Sequence, residues 1–254
     1  MERERGRRPV VLVTGASRSK GIGVAVARGL AKAGWDVGLT YWRPYDAIMP
    51  WGSQPQEVEE TLAWIRGQGV GAWAMEADLS DPAAPARIFD GMEEQWGSPT
   101  ALILAHCHSV DSDLSSTTVE AFDLHFAINA RASWLLIREF GARFRGRGNG
   151  RIVSITSDHT AWNLPYGASK GAMDRIVIAA AYEYAARGIT ANVVNPGATD
   201  TAWMSRELMD EVRQRTLCGR VGLPEDCAHL VTFLCSREGG WINGQVLYSN
   251  GGLR

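Results

Sequence analysis

Val10-Val11-Leu12-Val13-Thr14-Gly15-Ala16-Ser17-Arg18-Ser19-Lys20-Gly21-Ile22-Gly23 decides how this chain folds. A short β-branched run enters a glycine loop, and the alanine-rich, helix-forming stretch from Val24 to Ala33 follows it. Glycines let backbone approach a phosphate closely. The free N–H groups at a helix start, together with the positive end of its dipole, receive the anion. Strand, glycine loop and helix in that order predict the first unit of a dinucleotide-binding sheet, with Gly15, Ser17, Arg18, Lys20, Gly21, Ile22 and Gly23 as candidate contacts.

Working outward, the second strand is Asp36 to Tyr41, followed by Trp42-Arg43-Pro44. An NAD site usually ends this strand on an acidic residue that holds the ribose hydroxyls. Here Tyr41 and Arg43 stand there instead. Asp36 stands at the start of the strand and not at its end, so it does not fill that role. Arg43, aided by Arg18 or Lys20, suits the extra phosphate of NADP(H) through a forked, charge-assisted contact.

Residues 44–55, with one tryptophan, three prolines and a glycine, read as an irregular loop at the site's rim. A helix is expected over 56–66 and a third strand over 71–77, ending at Asp78-Leu79, a candidate adenine contact. Then come a helix over 82–95, a buried fourth strand over 101–105 and one long helix over 118–144 carrying Asn129. A fifth strand ends near Ser157, a helix from Tyr166 runs to Ala186, and a sixth strand spans 189–194. Helices over 203–215 and 225–236 precede a seventh strand at 244–247.

This alternation predicts an α/β fold: one Rossmann-type, doubly wound domain over 9–254, its seven-stranded parallel sheet covered by helices on both faces, behind a solvated tail at 1–8. Ligands belong at the carboxyl ends of its strands.

Composition excludes several classes of function. The chain has 254 residues, 45% hydrophobic and 21% charged, which is ordinary for a soluble globular protein. A net charge of −2 builds no field for nucleic acid or an anionic membrane. No apolar run approaches the roughly 18 residues that span a bilayer, and no apolar segment follows the charged N-terminus, so a cytoplasmic protein is expected. Cys107, Cys218, Cys227 and Cys235 lack Cys-x-x-Cys spacing, and reduced thiols are the default. His106-Cys107-His108 cannot easily aim three consecutive side chains at one ion, so no metal is expected.

The chemistry-bearing stretch runs from Ser157 to Lys170. On a helix, Tyr166 and Lys170 share a face one turn apart. A fixed ammonium near a phenol favours the phenolate and brings proton exchange toward neutral pH, so Tyr166 is the candidate acid. Ser157, at the end of an apolar strand, offers a hydroxyl that holds a substrate oxygen against that phenol.

Taken together, these residues resemble the short-chain dehydrogenase/reductase family over residues 9–252. The match rests on the Thr14-Gly15 loop ending Gly21-Ile22-Gly23, Asp78, Asn129, Ser157, Tyr166, Lys170, Asn195-Pro196-Gly197 with Thr201, and Gly244-Gln245 to Gly251-Gly252. The nearest look is to the bacterial branch of 3-oxoacyl carrier-protein reductases. The resemblance implies an NADPH-dependent reductase that turns a carbonyl into an alcohol by direct hydride transfer, with Tyr166 as general acid. It further implies that Lys170 lowers the phenol's pKa and holds the nicotinamide ribose, that Ser157 polarises the carbonyl, and that Asn129 holds a water leading to solvent. Ala105, His106, Pro196, Gly197, Thr199 and Thr201 would join the cofactor contacts, and a homotetramer or homodimer would form through the two long helices.

Three departures from the family pattern bear on the site. Five residues, not three, separate Gly15 from Gly21. Leu104-Ala105-His106-Cys107 stands in place of the family's Asn-Asn-Ala-Gly, so the asparagine that braces the central sheet is missing. The gap from Ser157 to Tyr166 is nine positions where about a dozen is usual, so Ser154, Thr156 or His159 could share the work of Ser157. His106, His108, His159, Trp162, Trp203 and Met204 are candidates to line the substrate pocket. Two rival readings are a tailoring reductase of one ketone or imine in a secondary pathway, and a protein that binds NADP(H) without chemistry.

Overall fold

A computed structural model of the chain describes residues 8–146 and 148–253; the expected tail over 1–8 lies, except for Arg8, outside the described residues. Seven strands form one sheet in the order β3-β2-β1-β4-β5-β6-β7, and every pairing is parallel. They are β1 (Val10–Thr14), β2 (Asp36–Tyr41), β3 (Ala72–Glu76), β4 (Ala101–Leu104), β5 (Gly150–Ile155), β6 (Ile189–Asn195) and β7 (Val246–Tyr248). The helices are α1 (Ile22–Lys32), α2 (Arg43–Ile48), α3 (Gln56–Arg66), α4 (Ala84–Trp96), α5 (Val119–His125), α6 (Ala132–Arg143), α7 (Leu164–Glu183), α8 (Arg206–Arg215) and α9 (Pro224–Cys235).

The unbroken apolar runs of β1, β4 and β5 are explained by burial on both faces, as a doubly wound sheet requires. Alternation along β1 divides the core in two. Val11 and Val13 pack with α1, α3 and α9, while Val10 and Leu12 pack with α4, α6 and α7. The strand order reverses at β1, with β2 on one side and β4 on the other, so a crevice opens at the carboxyl ends of those strands.

Several boundaries differ from the sequence expectation. The stretch read as an irregular loop contains α2, whose Pro44 sits in the first turn, where a missing N–H costs nothing. The long helix carrying Asn129 is not uniformly α: Phe126–Arg131 widens into a π-helical turn between α5 and α6. α8 starts at Arg206 instead of Trp203, because the Ser205 hydroxyl accepts the Leu208 N–H at 3.2 Å and caps the helix there. β7 begins at Val246, two residues late, because Gly244 and Gln245 are spent bonding Ala191 O and the Asn192 side chain. Among the described residues, no helix is long and apolar enough to cross a membrane.

Candidate active site

α7 carries two of the expected groups. Pro165 opens its first turn, Tyr166 follows, and Lys170 stands one turn on. Lys170 is 2% exposed, and its Nζ donates to Ile155 O at 2.8 Å and to His106 O at 3.5 Å. Its ammonium thus lies between the ends of β5 and β4, 5.8 Å from the Tyr166 ring centroid. Burial lowers the Lys170 pKa, and nearby Cys107 and Asp174 oppose that.

Burial also raises the Tyr166 phenol well above its ordinary value of 10.0, Cys107 adds to the rise, and the Ser157 hydroxyl opposes it. The lowering expected from Lys170 is therefore outweighed here: the ammonium is turned onto two backbone carbonyls, and desolvation of the phenol dominates.

Ser157 follows the end of β5 by two residues, and its Oγ accepts the His159 N–H at 3.2 Å. Ser154 and Thr156 are fully or nearly fully buried, on the same strand face as Ile152, which packs under α7. The short loop between Ser157 and Tyr166 folds back onto the start of α7. A side chain at Gly167 would overlap His159 O, so glycine is what lets that loop close.

His106 takes over the bracing that the missing asparagine would supply. Its Nδ1 lies 2.7 Å from Thr14 Oγ1 and its Nε2 3.1 Å from Ile128 O. Burial, with Lys170 nearby, holds its pKa at about 3, so the ring is neutral. The carbonyl can only accept, so Nε2–H donates to it and Nδ1 accepts from Thr14. Against this turn packs Gly15 (φ +71°), where a Cβ would come within 2.5 Å of His106 Cα.

Asn129, buried in the π-helical turn, accepts the His108 N–H at 2.7 Å and donates to His108 O and Ser169 Oγ, each at 2.9 Å. Its side chain locks the β4–α5 loop to α7. Its own carbonyl accepts the Ser133 hydroxyl at 2.7 Å.

On the cofactor side, α1 begins after Gly21 with no side-chain cap, which leaves its first-turn amides for an anion. Ala105 N–H donates to Thr14 Oγ1 at 3.2 Å, which fixes the loop beside Gly15. Ser17 is half-buried and Lys20 exposed beside this turn. Arg18 is drawn elsewhere: its Nε lies 3.6 Å from Asp46 Oδ1, its Nη1 donates to Thr201 O at 3.0 Å, and its guanidinium covers the Trp51 ring at 4.1 Å.

Arg43 forks onto Glu76 at the end of β3 and lies 5.4 Å from the Tyr41 ring. Asp78 accepts the Ser80 N–H at 2.8 Å, and Leu79 is buried in the core. Beyond β6, Thr199 Oγ1 donates to Pro196 O at 3.3 Å or Gly197 O at 3.4 Å and tightens the turn there.

The substrate side is more aromatic than the expected set. Tyr45 of α2 reaches the β4–α5 loop, its hydroxyl donating to Ser109 O at 3.1 Å, and its ring lies 5.3 Å from that of His108. His108 in turn meets His125 at 4.5 Å, and burial holds its pKa at about 4. Trp51 joins Tyr45 to Trp203, at 6.4 and 5.3 Å.

Met204 is half-buried beside Trp203. His159 and Trp162 are exposed on the short loop, Trp162 at 78% with a left-handed backbone (φ 65°), so the structure gives them no wall of the site. Tyr45 was missed because its segment looked irregular. Its signal was the density of tyrosine and tryptophan over 41–51.

The family model described as "Enoyl-(Acyl carrier protein) reductase" matches residues 15–254. An oxidoreductase of Bacillus subtilis, YjdA, is 36% identical over 250 residues, 96% of each chain. An NADPH-dependent aldehyde reductase of Arabidopsis thaliana is 33% identical over 96% of this chain and 93% of its own. A crystal structure of a short-chain dehydrogenase from Burkholderia cenocepacia in complex with NADP superposes with a TM-score of 0.84, at 33% identity over 97% of both chains. The chain belongs to the short-chain dehydrogenase/reductase family. This short-chain dehydrogenase/reductase is an oxidoreductase, and its departures from the family pattern fall in the Gly15–Gly21 loop, at His106 and in the 157–166 loop.

Proposed function

We propose that this short-chain dehydrogenase/reductase is an NADPH-dependent reductase of a carbonyl group, with Tyr166 as general acid. The observation that carries the reading is the convergence of Ser157, Tyr166 and buried Lys170 where β5 ends and α7 begins. NADP(H) fits the uncapped start of α1 and Arg43, which opens α2 just beyond the end of β2, and NADPH or NADP stands in the names of two of the similar proteins.

Gly15, Ser17, Gly21, Ile22 and Gly23 would hold the pyrophosphate, and Arg43 with Lys20 the additional phosphate. Asp78 and Leu79 would flank the adenine, and Ala105, His106, Pro196, Gly197, Thr199 and Thr201 the nicotinamide side. When bound, the cofactor supplies the hydride.

The chain's own residues manage the proton. A phenol kept protonated by burial is in the state from which an acid must start at neutral pH. Tyr166 Oη–H gives its proton to the substrate oxygen as that oxygen gains charge, and the Ser157 hydroxyl donates a hydrogen bond to the same oxygen. Lys170 holds positive charge beside the phenol and would hold the cofactor's ribose. Asn129 keeps α7 and the β4–α5 loop in register.

The acyl thioester of a 3-oxoacyl reductase is one substrate class. The chain of Tyr45, Trp51 and Trp203, with His108, favours a second, the ring-bearing ketone of a tailoring reductase. Assembly as a homotetramer or homodimer through α5–α6 and α7 accords with exposed Phe122 and Trp134 on that face. A cytoplasmic setting goes with free cysteines and modest charge. The experiment follows NADPH oxidation with an acetoacetyl thioester and with a fused-ring aromatic ketone. Turnover of the ketone alone selects the tailoring reading; NADPH binding with turnover of neither, nor of other carbonyls or imines, returns the chain to a cofactor-binding role.

A further inference from the structure

We propose that Asp174 is the positioning residue for the Lys170 ammonium, acting from the next turn of α7 across a buried polar strip formed by Thr156 and Ser154 of the β5 end. The inference rests on Lys170 working beside Tyr166 as proposed above.

The geometry has three parts. Asp174 stands four residues after Lys170, so on α7 the two project from one face. Thr156 and Ser154 are 4% and 0% exposed, two residues apart along β5 and its end, and so turned to the same side. Thr156 Oγ1, Ser154 Oγ and Asp174 Oδ1 are all buried and close no hydrogen bond. Buried polar atoms are rarely left so, and three together mark a strip organised around a charge rather than ordinary packing. Burial raises the Asp174 pKa, and the Thr156 hydroxyl, the Lys170 ammonium and Arg175 oppose that rise.

An ammonium held by two backbone carbonyls alone sits in a medium that disfavours its charge. The groups facing it are Cys107 from the β4–α5 loop, neutral His106, and Tyr166 and Asp174 from its own helix. Asp174 faces Lys170, Tyr166, Thr156 and the neighbouring Arg175. Among these, Asp174 is the carboxylate, one turn from Lys170 on the same helix face, and its charge opposes the effect of burial on the ammonium and so favours the proton on Nζ. It also disfavours the phenolate at Tyr166. Removing its charge should therefore lower both pKa values, and both effects move a pH profile to the acid side.

The chain's three lysines, Lys20, Lys32 and Lys170, make the test direct. In protein carrying ¹³C-lysine, three side-chain signals are expected, and Lys170→Met identifies the buried one. Titration of the free protein should show the Lys170 signal in Asp174→Asn losing its proton about 0.5–1 pH unit earlier than in the wild type, the size of a single nearby charge. Asp174→Glu should restore it, and Thr156→Val should give a smaller shift of the same sign. The alkaline limb of turnover against pH should move with the signal.

An unmoved Lys170 signal in folded Asp174→Asn, or in Thr156→Val should the first variant fail to fold, overturns the proposal. Turnover surviving in Tyr166→Phe overturns the parent reading instead, whatever Lys170 does.

Discussion

The Nδ1 atom of His106 lies 2.7 Å from the Thr14 hydroxyl, and through this bond one imidazole ties the end of β1 to the turn after β4. Its other nitrogen reaches Ile128 O in the π-helical turn, so the ring spans the two strands that flank the cofactor crevice and the helix behind them. His106→Ala should cost about 2–4 kcal/mol, from the cavity left and the unpaired Thr14 and Ile128 groups. His106→Asn, which restores a donor and an acceptor, should cost less. Denaturant unfolding of the two variants checks the order.

The same ring sets a pH dependence. His106 and His108 have pKa values of about 3 and about 4 in the fold, below the ordinary 6.5. Between these values the unfolded chain binds more protons than the folded one, so stability falls as pH drops from about 6.5 toward 3 and is complete above that window. At about 1.4 kcal/mol per unit, His106 alone accounts for roughly 3–5 kcal/mol. Melting temperatures measured from pH 7 to pH 4 should fall, and less steeply in His106→Asn.

The closing of the short loop onto α7 gives a third expectation. Gly167→Ala should push His159 O off the helix and displace Ser157, whose hydroxyl holds the same turn. Turnover should fall at least tenfold while NADPH affinity, set on the other side of the crevice, stays within twofold of wild type. Parallel kinetic and binding measurements separate the two.

The sheet and its helices were legible because burial on both faces writes continuous apolar runs into β1, β4 and β5, and because the glycine loop stands directly between a strand and a helix. Ser157, Tyr166 and Lys170 were singled out from the four-residue spacing of Tyr166 and Lys170 together with the family resemblance, and the structure brings the three together where β5 ends and α7 begins. The segment holding Tyr45 was not. Its prolines argued for irregular chain, yet Pro44 falls where a helix tolerates proline, and the contacts of Tyr45 and Trp51 are long-range ones that no local pattern carries. The partners of Arg43 and Arg18 escaped for the same reason: Glu76 and Asp46 come beside them only when the strands are assembled. Asn129 was picked out through the family resemblance, and its bonds to His108 and Ser169, 21 and 40 residues away, are ones that no local pattern carries.

Arg43 tests the choice of cofactor. A charge-assisted contact to phosphate contributes about 1.5–3 kcal/mol, so Arg43→Ala should raise the Kd for NADPH by roughly 10- to 100-fold. The Kd for NADH should change little. Equal losses for both cofactors, measured by fluorescence titration, would count against Arg43 as the phosphate ligand.

The central claim is that the Tyr166 phenol delivers the proton to the reduced carbonyl. The measurement is NADPH oxidation by Tyr166→Phe beside the wild type, on whichever carbonyl the wild type turns over, with NADPH binding determined on both proteins. Loss of the hydroxyl alone should lower turnover by at least a thousandfold, about 4 kcal/mol of barrier, and leave NADPH bound with unchanged affinity. Turnover within tenfold of wild type in a variant that binds NADPH normally would contradict the account.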